Sequence, residues 1–193
     1  MKRAPWHRAI RFALAVAGLS FVVGGLFDTS TIYLNTATWY VGAVIVFIIV
    51  IVGALFDMLG VAAAAARETP FHAMASKRVF AAKRAISIVR NAEKVSSICS
   101  DVIGDIAGVL SGAGALAVGA QLVIALHVRG WQREFIIILL TAFTTAVTVA
   151  AKAIGKTLAI RSPTPIVLGA ARVAETVLFY KREHRKVKGK RVQ

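Results

Sequence analysis

The chain has 193 residues, is 58% hydrophobic, and carries 24 Lys and Arg against 9 Asp and Glu. Only 17% of it is charged, where a soluble domain has roughly a quarter. Residues 12–27, 29–56, 106–126 and 135–151 hold no Asp, Glu, Lys or Arg; runs of about 18 such residues suffice to cross a bilayer as a helix, so an ordinary soluble domain is excluded.

In chain order, the opening "MKRAPWHRAIRFALAVAGLSFVVGG" has a basic start and a long apolar body with no clear small-x-small cleavage site. It is read as a retained span over 10–27 and not as a cleaved signal. Further spans are expected over 38–62, 95–126 and 135–158. The link 27–37, "FDTSTIYLNTA", has one acid and no base, and Trp39–Tyr40 supply an interfacial aromatic anchor. The link His127–Glu134 has two arginines, whereas residues 1–11 hold four bases, 67–94 seven and 161–193 nine. With Lys152 and Lys156, 22 of the 24 bases fall on one side. The positive-inside rule assigns that side, and both termini, to the cytoplasm of an inner (plasma) membrane.

The basic segment 67–94 reads as helical, with Thr69 as N-cap and Pro70 at the first helical position. Val79, Ala82, Ile86 and Val89 fall on one face, with Lys83, Arg90 and Lys94 elsewhere. That pattern suits a surface helix or an amphipathic helical hairpin beneath the bundle. Lys77, Arg78, Lys83 and Arg84 are its candidate contacts to anionic lipid headgroups.

The third span is long and holds Gly104, Gly108, Gly112, Gly114 and Gly119, which favours close helix packing and a break around Gly112–Gly114. Its start, "VSSICSDVIGDIAGVL", places Asp101 and Asp105 four residues apart on one helical face, with Ser97 a turn earlier and Ser100 beside it. By helical rise, Asp57 lies about 15 Å before Arg67 and Asp105 about 16 Å after Lys94, so the two carboxylates share a depth. A carboxylate at such depth is costly unless paired, hydrated or coordinated. Two readings stay open. In one, Asp57, Asp101 and Asp105 with Ser97 or Ser100 form an oxygen-lined cation site, of the kind Mg²⁺ requires. In the other, Asp105 pairs with Lys152 and Asp101 with Lys156 on the antiparallel fourth span, leaving Asp57 without a partner. Cys99, the lone cysteine, reads as a small packing residue.

The stretch "LFDMLGVAAAAARETPFHAMASKRVFAAKRAISIVRNAEKVSSICSDVIGDIAG" resembles the transmembrane domain of the CNNM/CorB/CorC magnesium exporters, over roughly residues 40–155. Members have a helix ending in a small-residue motif, a basic cytoplasmic helical hairpin, and a helix with a pattern near LLxxLLIGNxxVN. Val95 to Val109 follows that rhythm, Gly104–Asp105 falls on the family's Gly-Asn, and Asp57 falls near the serine of its first motif. The resemblance implies Mg²⁺ as the ion, roles for Asp57, Gly104 and Asp105 in holding it, and a homodimer. Asp105 replaces the family's asparagine, and no pair of CBS domains follows within these residues.

Two prolines, Pro163 and Pro165, are expected to end the fourth span. Ile166 to Tyr180 then reads as a partly apolar helix, and Lys181, Arg182, Arg185 and Lys186 belong to a basic cluster suited to anionic headgroups. Nothing resembling a base-stacking platform accompanies it, so no nucleic-acid partner is expected. No nucleophile–base pair, P-loop, zinc spacing or dinucleotide fingerprint occurs, which argues against an enzyme. The expectation is an all-α integral membrane protein: a four-helix transmembrane domain over 1–160, with its basic cytoplasmic hairpin, and a basic C-terminal segment over 161–193. Divalent-cation transport is the expected function. The alternative is a non-transporting scaffold that binds lipid or a partner.

Overall fold

The computed structural model describes residues 10–18, 20–22, 24–25 and 38–189. These are helical and contain no strand. Three helices are long and apolar enough to cross a membrane: α1 (Trp39–Ala65), a 34-residue helical run Ala92–Ala125, and Trp131–Arg161. Two short helices, α2 (Glu68–Ser76) and α3 (Ala82–Arg90), follow α1. The run Ala92–Ala125 is taken as α4, Trp131–Arg161 as α5, and α6 (Pro163–Gly189) closes the chain. At the N-terminus, Ile10–Val22 is a shorter apolar helix. Residues 19, 23 and 26–27 of the expected first span, and the link 27–37, lie outside the described residues.

The long helices exist because their sequences give the backbone no competitor. At about 1.5 Å per residue, the 27 residues of α1 extend roughly 40 Å, more than the roughly 30 Å hydrocarbon core. α1, α4 and α5 pack against one another in a three-helix bundle. Glycines set the spacing of the bundle. A Cβ on Gly53 would meet Ala107, one on Gly60 would meet the Ser100 hydroxyl, and one on Gly155 would meet Met58 at 3.4 Å. Small residues at such crossings let backbones approach where apolar exclusion supplies little drive. α5 is the peripheral member, with Thr148 and Ala159 as its buried residues. The α4–α5 link is tight, and Gly130 (φ 70°, ψ −148°) takes a conformation closed to other residues just before α5 begins.

Below one end of the bundle a second layer forms. Ala62 of α1 and Ala159 of α5 join Phe71 of α2, Ala85 of α3, and Val167 and Ala171 of α6 in one buried cluster. α3 packs on both α2 and α6, and Arg84 donates to Glu175 at 3.1 Å across the α3–α6 contact. The carboxyl of Glu68, on α2, is held below its ordinary value by the hydrogen bond from Arg90 and then by His72.

Several expectations are corrected. The helix after Ala66 begins at Glu68 with Arg67 as its N-cap, so Thr69 is already inside it and Pro70 sits in the first turn. Proline is tolerated there because those N–H groups have no intrahelical acceptor. Within 67–94 the two short helices are joined by a turn at residues 77–81. α4 is unbroken at Gly112–Gly114, and its irregularity lies earlier, in a π-helical stretch Ser97–Gly104. Glycine alone does not break the helix there: Gly114 is packed against Val46, and Gly112 faces open space. α5 ends at Arg161, capped by Ser162 immediately before Pro163, and Pro163 and Pro165 also open α6, which starts ahead of the expected Ile166. Proline's fixed φ suits a first turn.

Candidate functional site

The polar centre of the bundle lies where α1, the π-helical stretch of α4 and the later part of α5 meet. Asp57 is the one charged residue in α1 and is 3% exposed. Its placement follows from the glycine crossing. Gly104 stands beside it, close enough that a Cβ there would come 3.6 Å from the Asp57 Cβ and 3.9 Å from its Oδ1. Ser100, inside the π-helical stretch, donates its hydroxyl to the Asp57 carbonyl at 3.3 Å. A π-helix is often found at functional positions because its wider turn re-aims side chains and carbonyls.

α5 brings two cations to this place. Lys156 Nζ stands 3.4 Å from Asp57 Oδ2, without hydrogen-bond geometry, so Oδ2 is buried and lacks a hydrogen bond. One turn earlier, Lys152 Nζ donates to the Gly104 carbonyl at 2.9 Å and lies 3.8 Å from Asp105 Oδ1. The two pairs differ in character. Asp57 is enclosed and its lysine is half exposed, whereas Asp105 is 76% exposed and its lysine mostly covered. Coulomb attraction in low dielectric offsets the desolvation of such groups only when partners stay close.

The sequence-based residues separate accordingly. Asp57, Ser100 and Gly104 converge. Asp105 is adjacent but turned outward to Lys152. Asp101 is exposed and forms no ion pair among the described residues. Ser97 begins the π-helical stretch and is partly covered. The Asp105–Lys152 rung is present, but the Asp101–Lys156 rung is not: Lys156 pairs with Asp57, the acid expected to lack a partner. Asp101, exposed on α4, meets no α5 lysine, because Lys156 is drawn to the buried Asp57. Cys99 is buried as a packing residue. Gly53, Gly60 and Gly155 were not singled out from the sequence, although the seven-residue spacing of Gly53 and Gly60 carries that signal.

Among the described residues, no group of three or more His, Cys, Asp or Glu side chains gathers as metal ligands would. The donor set around Asp57 is one carboxylate, one hydroxyl already donating to a carbonyl, and an ammonium. That combination suits an internal ion pair better than a divalent cation, which demands several hard oxygen ligands at once. Lys77, Arg78 and Lys83 are exposed around the 77–81 turn, and Arg84 is engaged by Glu175. Lys181, Arg182, Arg185 and Lys186 fall on the last turns of α6, where side chains lie outside the described residues. No protein-family model matches the chain, and neither a curated protein nor a solved structure matches it.

Proposed function

We propose that the chain is a multi-pass inner-membrane protein with both termini cytoplasmic, whose ion-paired centre is structural. In this reading it is a non-transporting scaffold, and the basic layer formed by α2, α3 and the start of α6 is its cytoplasmic working surface. Residues 10–27 supply a fourth span, and a second copy of the chain is its simplest partner in the bilayer. The supporting observation is that both lysines of α5 reach the other two long helices, one at Asp57 and one at Gly104 and Asp105. Intramembrane charges that pair with one another are a common solution to their desolvation.

The cation-transport reading, with Mg²⁺ as cargo and a CNNM/CorB/CorC-like transmembrane domain, has one specific observation in its favour. Asp57 Oδ2 is buried without a hydrogen bond beside a π-helical turn. In that reading Lys156, half exposed, withdraws to admit the ion.

Thermal unfolding of the purified protein in detergent across a Mg²⁺ titration separates the two. A structural pair makes wild type indifferent to Mg²⁺ beyond the effect of ionic strength, while Lys156→Met lowers its stability. A rise with Mg²⁺ that Asp57→Asn abolishes, approaching about 2.7 kcal/mol at 100 times the dissociation constant, establishes the cation site and overturns the scaffold reading.

A further inference from the structure

We infer that the turn between α2 and α3 is a headgroup site for an anionic phospholipid. The turn is built in an unusual way. Arg78 (φ 55°) and Ala81 (φ 64°) both take left-handed backbone conformations without being glycine, and they bracket Val79 and Phe80. Such conformations are unfavourable for residues with a Cβ, and a fold keeps them where their surroundings enforce them, commonly at functional positions. Here the result is an aromatic ring left in the open: Phe80 is 58% exposed.

Cations surround that ring. Ser76, Arg78, Phe80, Lys83, Arg84 and Glu175 contribute to the lining of a cavity of about 530 Å³. Its one acid, Glu175, is taken by Arg84 at 3.1 Å. Lys77, Arg78 and Lys83 are exposed and form no ion pair among the described residues. The mount beneath the turn is firm, because Ala82 and Ala85 are buried on the inner face of α3 and Phe71 is fully covered on α2. A phosphodiester beside an apolar ring matches this arrangement. Two or three unneutralised cations would hold the phosphate, and Phe80 would lie against the glycerol and the first methylenes. Arginine offers a fork of donors to phosphate oxygens, and lysine a point charge. A soluble phosphate would satisfy the cations but leave the ring in water, so the lipid is the better fit.

The inference rests on the membrane reading above, which also places this turn near the cytoplasmic headgroups. The test uses the full chain. Its retention in membranes washed with alkaline carbonate is measured first, and release by that wash sinks the membrane reading and this site with it. The retained protein, purified in a neutral detergent, is then titrated with phosphatidylglycerol, phosphatidylcholine, or inorganic phosphate while its melting temperature is followed. We expect phosphatidylglycerol to bind at least tenfold more tightly than phosphatidylcholine, with phosphate giving no comparable rise. Lys77→Gln/Arg78→Gln/Lys83→Gln should lose most of that preference, and Phe80→Ser should weaken lipid binding. Arg129→Gln/Arg133→Gln, at the other end of the bundle, should keep both. Equal response to the two lipids, an unchanged triple variant, or an equal response to free phosphate overturns the headgroup site and leaves the membrane reading standing. Should the triple variant not fold, the exposed single change Arg78→Gln gives the same comparison.

Discussion

Lys156 and Asp57 face one another across the α1–α5 contact at 3.4 Å, with the acid enclosed and the lysine half exposed. The asymmetry matters because a lone lysine can extend its ammonium toward water, whereas the carboxylate of Asp57 has nowhere to go.

Removing the lysine should therefore hurt more than removing both charges. Lys156→Met is expected to destabilise toward the lower end of the roughly 3–5 kcal/mol that breaking a buried pair costs. Asp57→Asn/Lys156→Met should recover much of that loss. A double-mutant cycle read by thermal unfolding in detergent checks this, and a double variant no better than Lys156→Met would remove the pair from the account.

The glycine crossing makes a paired prediction. Gly60→Ala would press a methyl against the Ser100 hydroxyl and against the Ser96 carbonyl at 3.1 Å, and overpacking of that kind typically costs about 1–3 kcal/mol. Gly112→Ala meets nothing within 4 Å and should leave stability unchanged or slightly raised. Comparing the two melting temperatures distinguishes close contact from a general dislike of alanine in these helices.

Phe71 locks the basal layer to the bundle, being fully buried among α1, α3, α5 and α6 residues. Phe71→Ala should cost about 3–5 kcal/mol. It should also open the 66–92 region to limited proteolysis well before the long helices are cut. Uniform cleavage throughout the chain would contradict a separately mounted layer.

Acid should weaken the tie between α2 and α3. Glu68 is held below its ordinary value of 4.5, chiefly by Arg90 and then by His72. A carboxylate whose folded value is depressed contributes stability in full above the unfolded value, and loses it as pH falls through the folded one. Local opening at α2–α3, followed by amide exchange, should therefore rise as pH drops below about 4.5. Glu68→Gln should flatten that rise. The effect will be small because the pair is exposed to solvent.

The long helices were legible because hydrocarbon length leaves a direct trace in composition: residues 39–56 of one uncharged run, and the runs 106–126 and 135–151, fall almost wholly within α1, α4 and α5. The polar centre was half legible. Depth along a helix follows from counting residues, and it placed Asp57 and Asp105 at one depth and paired Asp105 with Lys152. Direction around the helix does not follow from counting once a π-helical stretch intervenes, and nothing in the hydropathy of "SICSDVIG" distinguishes a π turn from an α turn. Lys156 was therefore assigned to Asp101, whereas the acid it meets is Asp57 on α1. Helix starts failed for a different reason. Thr69 fits more than one position in a first turn, and Pro163 suits both the end of one helix and the start of the next, so tertiary packing, here around Phe71 and Val167, decides where each helix begins.

Five threonines of α5 settle their hydroxyls on their own helix: Thr141, Thr144, Thr145, Thr148 and Thr157 each donate to a carbonyl four residues back. A helix that closes its polar inventory in this way is mute toward its neighbours along most of its length. Lys152 and Lys156 are then the two words it speaks, and they are one turn apart. The polar part of the helix's rotational setting is thus entrusted to a span of five residues near one end. The far half is held by apolar packing, where Ile137 and Leu140 close on Gly119.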